Sequence, residues 1–298
     1  MKETLKTIIM KFTALLFVLA FSLQSFSQDK PAYKIFTEEG KKADYDDIIK
    51  QAKKADVIFF GELHDNPVAH WLELELTKDL FALQGTNLVL AAEMFETDNQ
   101  LIINEYLAGI IKETSFESEV KKWNNYGTDY KPLMNFAKQK GLKFIASNIP
   151  RRYASIIASG GFEALAKLSP DALRYIAPVP FAYDPELPCY KDMLSMGGGP
   201  MGHANENLPK AQAAKDATMA KSIADNWNAG LKLLHYNGSY HSDRHQGIIW
   251  HLNKYNPAIK IVTIATVLQD TIAKLDSAGI GQADFVIAIP NSMTRTYK

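Results

Sequence analysis

The stretch from Asp56 to His70, DVIFFGELHDNPVAH, decides how this chain is read. Val57-Ile58-Phe59-Phe60 is apolar, rich in β-formers and too short for an ordinary helix, so it reads as a buried strand. Gly61 breaks the run, and Glu62, His64 and Asp65 follow at once. Asp65-Asn66-Pro67 starts a helix, with a capping side chain and a proline in the first turn. Titratable groups therefore stand at the carboxyl end of a central strand, where open α/β sheets bind ligands. The pattern returns at Leu231 to Asn237, LKLLHYN, followed by Gly238-Ser239-Tyr240-His241 and a helix. Two strand-Gly-x-x-His-helix units, far apart in sequence, are thereby expected to face one crevice.

Working outward, strand and helix alternate on both sides of this stretch. Tyr45 to Lys54 reads as a helix with Ile48, Ile49 and Ala52 inward, and Val68 to Leu83 as the helix after the first motif. Asn87 to Phe95, NLVLAAEMF, is a second buried strand that delivers Glu93 near its carboxyl end. A helix from Asp98 to Ala108 follows, then one from Pro132 to a closing Gly141, then the strand Lys143 to Asn148. This alternation predicts a largely parallel sheet with helices on both faces. From Arg151 to Gly230 it stops. Arg151 to Ser159, Gly161 to Leu168 and Leu208 to Asn228 read as helices, around a Pro-rich stretch and a glycine-rich loop, MLSMGGGPMGH, at 193–203. The segment 151–230 is expected to be an inserted helical cap over the strand ends. Strands at Leu231, Ile259 to Thr266 and Asp284 to Ile289 resume the sheet, with helices over Asp243 to Tyr255 and Asp270 to Ala278 between them.

The chain has 298 residues, 47% hydrophobic and 22% charged, a soluble globular balance. Its first 27 residues differ. Lys2, Lys6 and Lys11 precede a short apolar core, Phe12 to Phe21, and Ser25 and Ser27 suit a cleavage site. This reads as a secretory leader removed before Gln28, leaving 28–298 as a single α/β domain that is exported, periplasmic or secreted. No cysteine lies near the cut, so a lipoprotein is not expected, nor is stable membrane insertion after cleavage. Losing the leader moves the net charge from 0 to −2 with no run of like charge, which argues against nucleic acid as a partner. Cys189 is the only cysteine, so packing rather than a disulfide holds the core, and the thiol is expected to be inert.

Glu62, His64, Glu93, Asn148, His241 and His245 all fall at or just past predicted strand ends. Imidazole can bind a metal or move protons near neutral pH, and a neighbouring carboxylate can orient it or take the proton. His241 and His245, four apart at a predicted helix start, would share a face. His70 and His251 read as packed or surface helix residues, and His235 as a strand residue satisfied by hydrogen bonds. Met193, Met196 and Met201 beside His203 suit a mobile lid, or simple packing. Tyr183, Tyr190, Tyr236 and Tyr240 offer phenolates to ferric iron or form an aromatic wall. The chain lacks a Gly-x-Gly-x-x-Gly turn, a phosphate loop, a Gly-x-Ser-x-Gly elbow and His-Glu-x-x-His.

Ile58 to Asn66 (IFFGELHDN), Ala92 to Phe95 (AEMF), Trp123 to Tyr130 and Gly238 to His241 (GSYH) together resemble the ChaN-like haem-binding uptake proteins. The resemblance runs from about Tyr33 to Ile289. It extends to the wider group of Tiki proteases, TraB proteins and erythromycin esterases. It implies a three-layer α/β/α fold with a helical cap, haem as ligand in iron uptake, and a homodimer holding stacked haem. Candidate haem contacts are then His241, Tyr240, His203, Met196 and Met201. The wider group implies a hydrolase alternative, with Glu62, His64, Glu93 and His241 as catalytic groups. It also implies a divalent metal, for which His64, His241 and His245 are the candidate ligands.

Overall fold

In the computed structural model, which describes residues 30–196 and 205–297, the expected strands form around the two motifs. The expected leader, Met201 and His203 lie outside the described residues, as does the side chain of Met196. In chain order the elements are β1 (Lys34–Thr37), β2 (Lys42–Ala43), α1 (Tyr45–Lys54), β3 (Val57–Glu62), α2 (Pro67–Gln84), β4 (Leu88–Glu96), α3 (Gln100–Leu107) and α4 (Glu113–Glu119). There follow α5 (Lys131–Lys140), β5 (Lys143–Asn148), α6 (Arg151–Gly160), α7 (Pro170–Leu173), α8 (Pro188–Met196) and α9 (Leu208–Asn226). The chain closes with β6 (Lys232–Gly238), α10 (Ile248–Tyr255), β7 (Ile261–Gln269) and β8 (Phe285–Pro290).

All eight strands make one sheet in the order β2-β1-β8-β7-β3-β6-β4-β5. The six strands from β8 to β5 are mutually parallel, and β1 and β2 extend the β8 edge antiparallel. This is the expected α/β fold. Side chains alternate across the sheet because successive residues of a strand point to opposite faces. Ile58 and Phe60 of β3 join a core with α2 residues Leu72, Leu76 and Leu80. Val57 and Phe59 instead pack with Met219, Ala220 and Ile223 of α9 and with Ile248, Ile249 and Leu252 of α10. Helices thus cover both faces.

β3 and β6 are neighbours at the centre, with Gly61 opposite Asn237 and Glu62 opposite Gly238. β3 is followed by α2 on one face and β6 by α10 on the other. Adjacent strands whose chains leave to opposite faces open a crevice at their carboxyl ends. The helices of 151–226 are built around α9, whose second half lies on the sheet face. Its first half, through Ala211 and Ala214, packs with Ile149, Ala154, Ile157 and Leu165 in a smaller core of its own.

Two expected helices are corrected. The helix over Asp243 to Tyr255 begins only at Ile248, because Arg244, His245 and Gly247 all take positive φ, 55°, 56° and 54°, which no helix accommodates. The helix over Asp270 to Ala278 is a loop with a single short turn, Ser277–Gly279. Its backbone is satisfied by one side chain: the Gln269 amide donates to the carbonyls of Thr271 and Lys274 and accepts from the Asp276 N–H. The β1–β2 hairpin lies in a polar stretch with no strand signal.

Candidate functional site

The two motif turns meet, and each glycine is the place where the other turn passes. A Cβ on Gly238 would stand 2.8 Å from His64 Cε1 and Nε2, and one on Gly61 would stand 2.9 Å from Ser239 Cα. Only glycine permits this approach. Asn66 fixes the turn after β3 by accepting from the N–H groups of Val68 (3.0 Å) and Ala69 (3.2 Å), as the expected helix cap.

A cleft of about 550 Å³ opens at this point, within the range of small-molecule sites. His64, Glu93 and His241 line it, with Trp123 and Ile149 on its walls. Glu62 stands behind His64, fully buried. Its Oε1 lies 2.6 Å from His64 Nδ1 and accepts the Tyr130 hydroxyl at 2.7 Å. His64 is 36% exposed and packs edge-on to Trp123 at 4.7 Å between ring centroids. Burial opposes charge on His64, but the bond to Glu62 and the Glu93 charge raise its pKa. One nitrogen is therefore pinned, and Nε2 has no hydrogen-bond partner among the described residues.

His241 is held on both sides. Nδ1 lies 2.5 Å from Asp216 Oδ1, and Nε2 lies 3.1 Å from Glu93 Oε1. Glu93 Oε2 accepts the Gly238 N–H at 2.8 Å, and Asp216 Oδ2 accepts the Tyr190 hydroxyl at 2.9 Å. Burial works against the imidazolium, yet the two carboxylates raise its pKa to about 10. Glu93 shows the converse: burial pushes it up, but the His241 charge and these bonds hold it well below the usual carboxylate range. His241 is a fixed cation at neutral pH.

The structure brings Glu62, His64, Glu93, His241 and Asn148 together, and leaves other candidates elsewhere. The expected shared face of His241 and His245 is corrected: the backbone reversal at 244–247 sends the His245 ring to Asp284, at 3.3 Å. Tyr240 donates its hydroxyl to the Cys189 carbonyl and does not line the cleft. Tyr236 is buried against Thr77, with 2.5 Å between hydroxyls. His235 is satisfied by Ser147 (2.9 Å) and Asn237 (3.0 Å), and burial lowers its pKa to about 4. Burial pushes the Cys189 thiol up to about 12, which keeps it protonated.

Six residues escaped the reading of the sequence. Asp216 and Gln212 of α9 reach His241, the Gln212 amide at 3.1 Å from Nδ1. The available signal was an acid set among Ala213, Ala214, Ala217 and Ala220, all buried. His70, read as an ordinary helix residue, is buried beside Glu62 and Glu73. Lys122, Arg151 and Lys215 bring positive charge to the cleft.

For haem, the group named by the resemblance, these residues fit. Iron would find an imidazole nitrogen at His64 Nε2, on a ring oriented by Glu62. The macrocycle would meet Trp123, Met94, Ile149 and Tyr297, and the propionates Lys215, with Lys122 and Arg151 nearby but paired to Glu117 and Glu96. Among the described residues no helix is long and apolar enough to cross a membrane.

No curated protein matches the chain. Among solved structures, it is similar to ChaN of Campylobacter jejuni, described with cofacial haem bound, at 21% identity over 87% of this chain and 97% of that one, TM-score 0.65. A succinoglycan biosynthesis protein matches at 12% identity over 89% and 96%, TM-score 0.52. At these identities the likeness shows the fold. The family model described as haem-binding uptake, Tiki superfamily, ChaN, matches residues 48–252, more than half of the sequence, and the chain belongs to that family.

Proposed function

We propose that this protein is an exported haem-binding factor of haem or iron uptake, with the porphyrin seated in the cleft at the carboxyl ends of β3, β4 and β6 under the helices of 151–230. The observation that carries the reading is His64: Nδ1 is tied to a buried carboxylate at 2.6 Å while Nε2 is left open in a cleft with aromatic walls and a cationic rim. The Glu62 bond to Nδ1 fixes the ring's orientation and so keeps Nε2 toward the ligand. His241, with both nitrogens engaged, contributes positive charge rather than a bond to iron. Removal of the leader after export and a homodimer with haem between subunits belong to the same proposal.

Hemin titration tests it. A shifted Soret band saturating at a defined stoichiometry is expected, and an unshifted spectrum would remove the reading. The same His64–Glu62 pair also has the geometry of a general base, so a Glu- and His-dependent hydrolase is the second reading. An esterase and peptidase screen addresses it, and activity that survives His64→Ala and His241→Ala would count against it.

A further inference from the structure

Beneath the cleft lies a second group of ligand-type side chains, which shares only Glu62 with the haem reading. Glu62 ends β3, and His70 and Glu73 face it from the first turns of α2. All three are buried, at 1%, 5% and 0% exposure, and one ligand atom from each lies within 4.8 Å of the others. His70 Nδ1 stands 3.0 Å from Glu73 Oε2 and 3.2 Å from Glu62 Oε2.

The one proton of His70 Nδ1 serves these atoms poorly. Nδ1 carries at most one hydrogen and cannot bond both carboxylates well. The bond is to Glu73, while Glu62 Oε2 and Glu73 Oε1 have no hydrogen-bond partner among the described residues. Unpartnered carboxylate oxygens at this depth are costly. A dication would satisfy Nδ1 and both carboxyl groups together. The spacing suits one: tetrahedral zinc with bonds of about 2.0–2.1 Å puts its ligand atoms roughly 3.3 Å apart. The far side of the ring is prepared as well. His70 Nε2 lies 3.1 Å from the His64 carbonyl, which accepts its N–H, with Asp129 Oδ2 beyond at 3.5 Å. A proton fixed on Nε2 leaves the Nδ1 lone pair facing the carboxylates, the usual outer support of a metal-bound histidine.

We infer that Glu62, His70 and Glu73 form a buried site for a divalent transition metal of the zinc type, with Glu73 Oε1 available as a fourth donor. The site is separate from the cleft pair His64 and His241. It reaches the cleft through one carboxylate, since Glu62 holds the metal by Oε2 and orients His64 by Oε1. Mixed imidazole and carboxylate donors favour zinc, iron or manganese over calcium.

The test uses haem-free protein, so its outcome is independent of the haem reading. Chelator-stripped full-length protein is titrated with zinc and, separately, with cobalt. One equivalent per chain, with visible cobalt d–d bands, is expected. Glu73→Gln and His70→Asn should each weaken zinc by at least about 10-fold, while His64→Ala and His241→Ala retain it. Anomalous scattering at the zinc edge locates the ion in the wild-type protein without any substitution, should a variant not fold. A peak among Glu62, His70 and Glu73 supports the site. Failure to bind one equivalent, binding indifferent to Glu73→Gln and His70→Asn, or a peak between His64 and His241 overturns it.

Discussion

The two histidine turns have the same local sequence form and opposite chemistry. His64, after β3, has one nitrogen pinned by Glu62 and the other open to the cleft. His241, after β6, has both nitrogens closed by Asp216 and Glu93 and is held as a cation at neutral pH. The difference arises from what packs behind each turn. A carboxylate from its own strand backs His64, whereas α9 and β4 deliver one acid to each side of His241. Like motifs can therefore supply one reactive group and one structural charge.

The comparison breaks most visibly at His241. His241→Ala leaves Asp216 and Glu93 buried without their cation, and should cost about 3–5 kcal/mol in urea unfolding. His64→Ala, at a half-open site, should cost much less. Equal losses would erase the distinction.

pH tests the same charge. His241 has a folded pKa of about 10, above its ordinary 6.5. Its stabilisation is complete below about 6.5 and is lost as pH rises through about 10. Glu93, held low, acts with the opposite sign: its contribution is present above the ordinary 4.5 and fades as pH falls below it. The urea midpoint should fall between pH about 7 and 10, with a flatter profile in His241→Ala. An unchanged midpoint over that window would contradict the buried imidazolium.

For hemin the ranking reverses. His64→Ala should weaken binding by about 10- to 100-fold, in line with losing an oriented ligand. Retention of the wild-type Soret position would assign the iron ligand elsewhere. Gly238→Ala places a methyl against the His64 ring and should destabilise by about 1–3 kcal/mol while lowering hemin affinity. The smallest effect is expected at His245→Ala, a half-exposed pair with Asp284 worth about 0–1 kcal/mol, with hemin affinity unchanged. A loss of hemin there would return His245 to the site.

How much of this was legible depended on distance along the chain. Apolar runs such as Val57–Phe60 and Leu88–Ala92 mark central strands because both of their faces are buried. The β1–β2 hairpin left no such trace, since β1 spans only four residues and β2 two, too short to show a period. Positive φ at Arg244 and His245 could not be read from residue types that normally avoid it. Asp216 meets His241 only because α9 lies on the sheet, a contact between separate segments that no local pattern encodes.

By itself the amino-acid sequence determined the parallel core, the helix cap at Asn66, the two glycine-histidine turns and the placing of Glu62 and Glu93 at strand ends. Those features are local, set by side-chain period and by backbone freedom at glycine. Only the tertiary structure decided which imidazole stays open, which is locked as a cation, and that His70 joins Glu62 and Glu73. These are matters of burial and of partners brought from distant segments. A side chain's charge and free lone pairs depend on what surrounds it after the layers have packed.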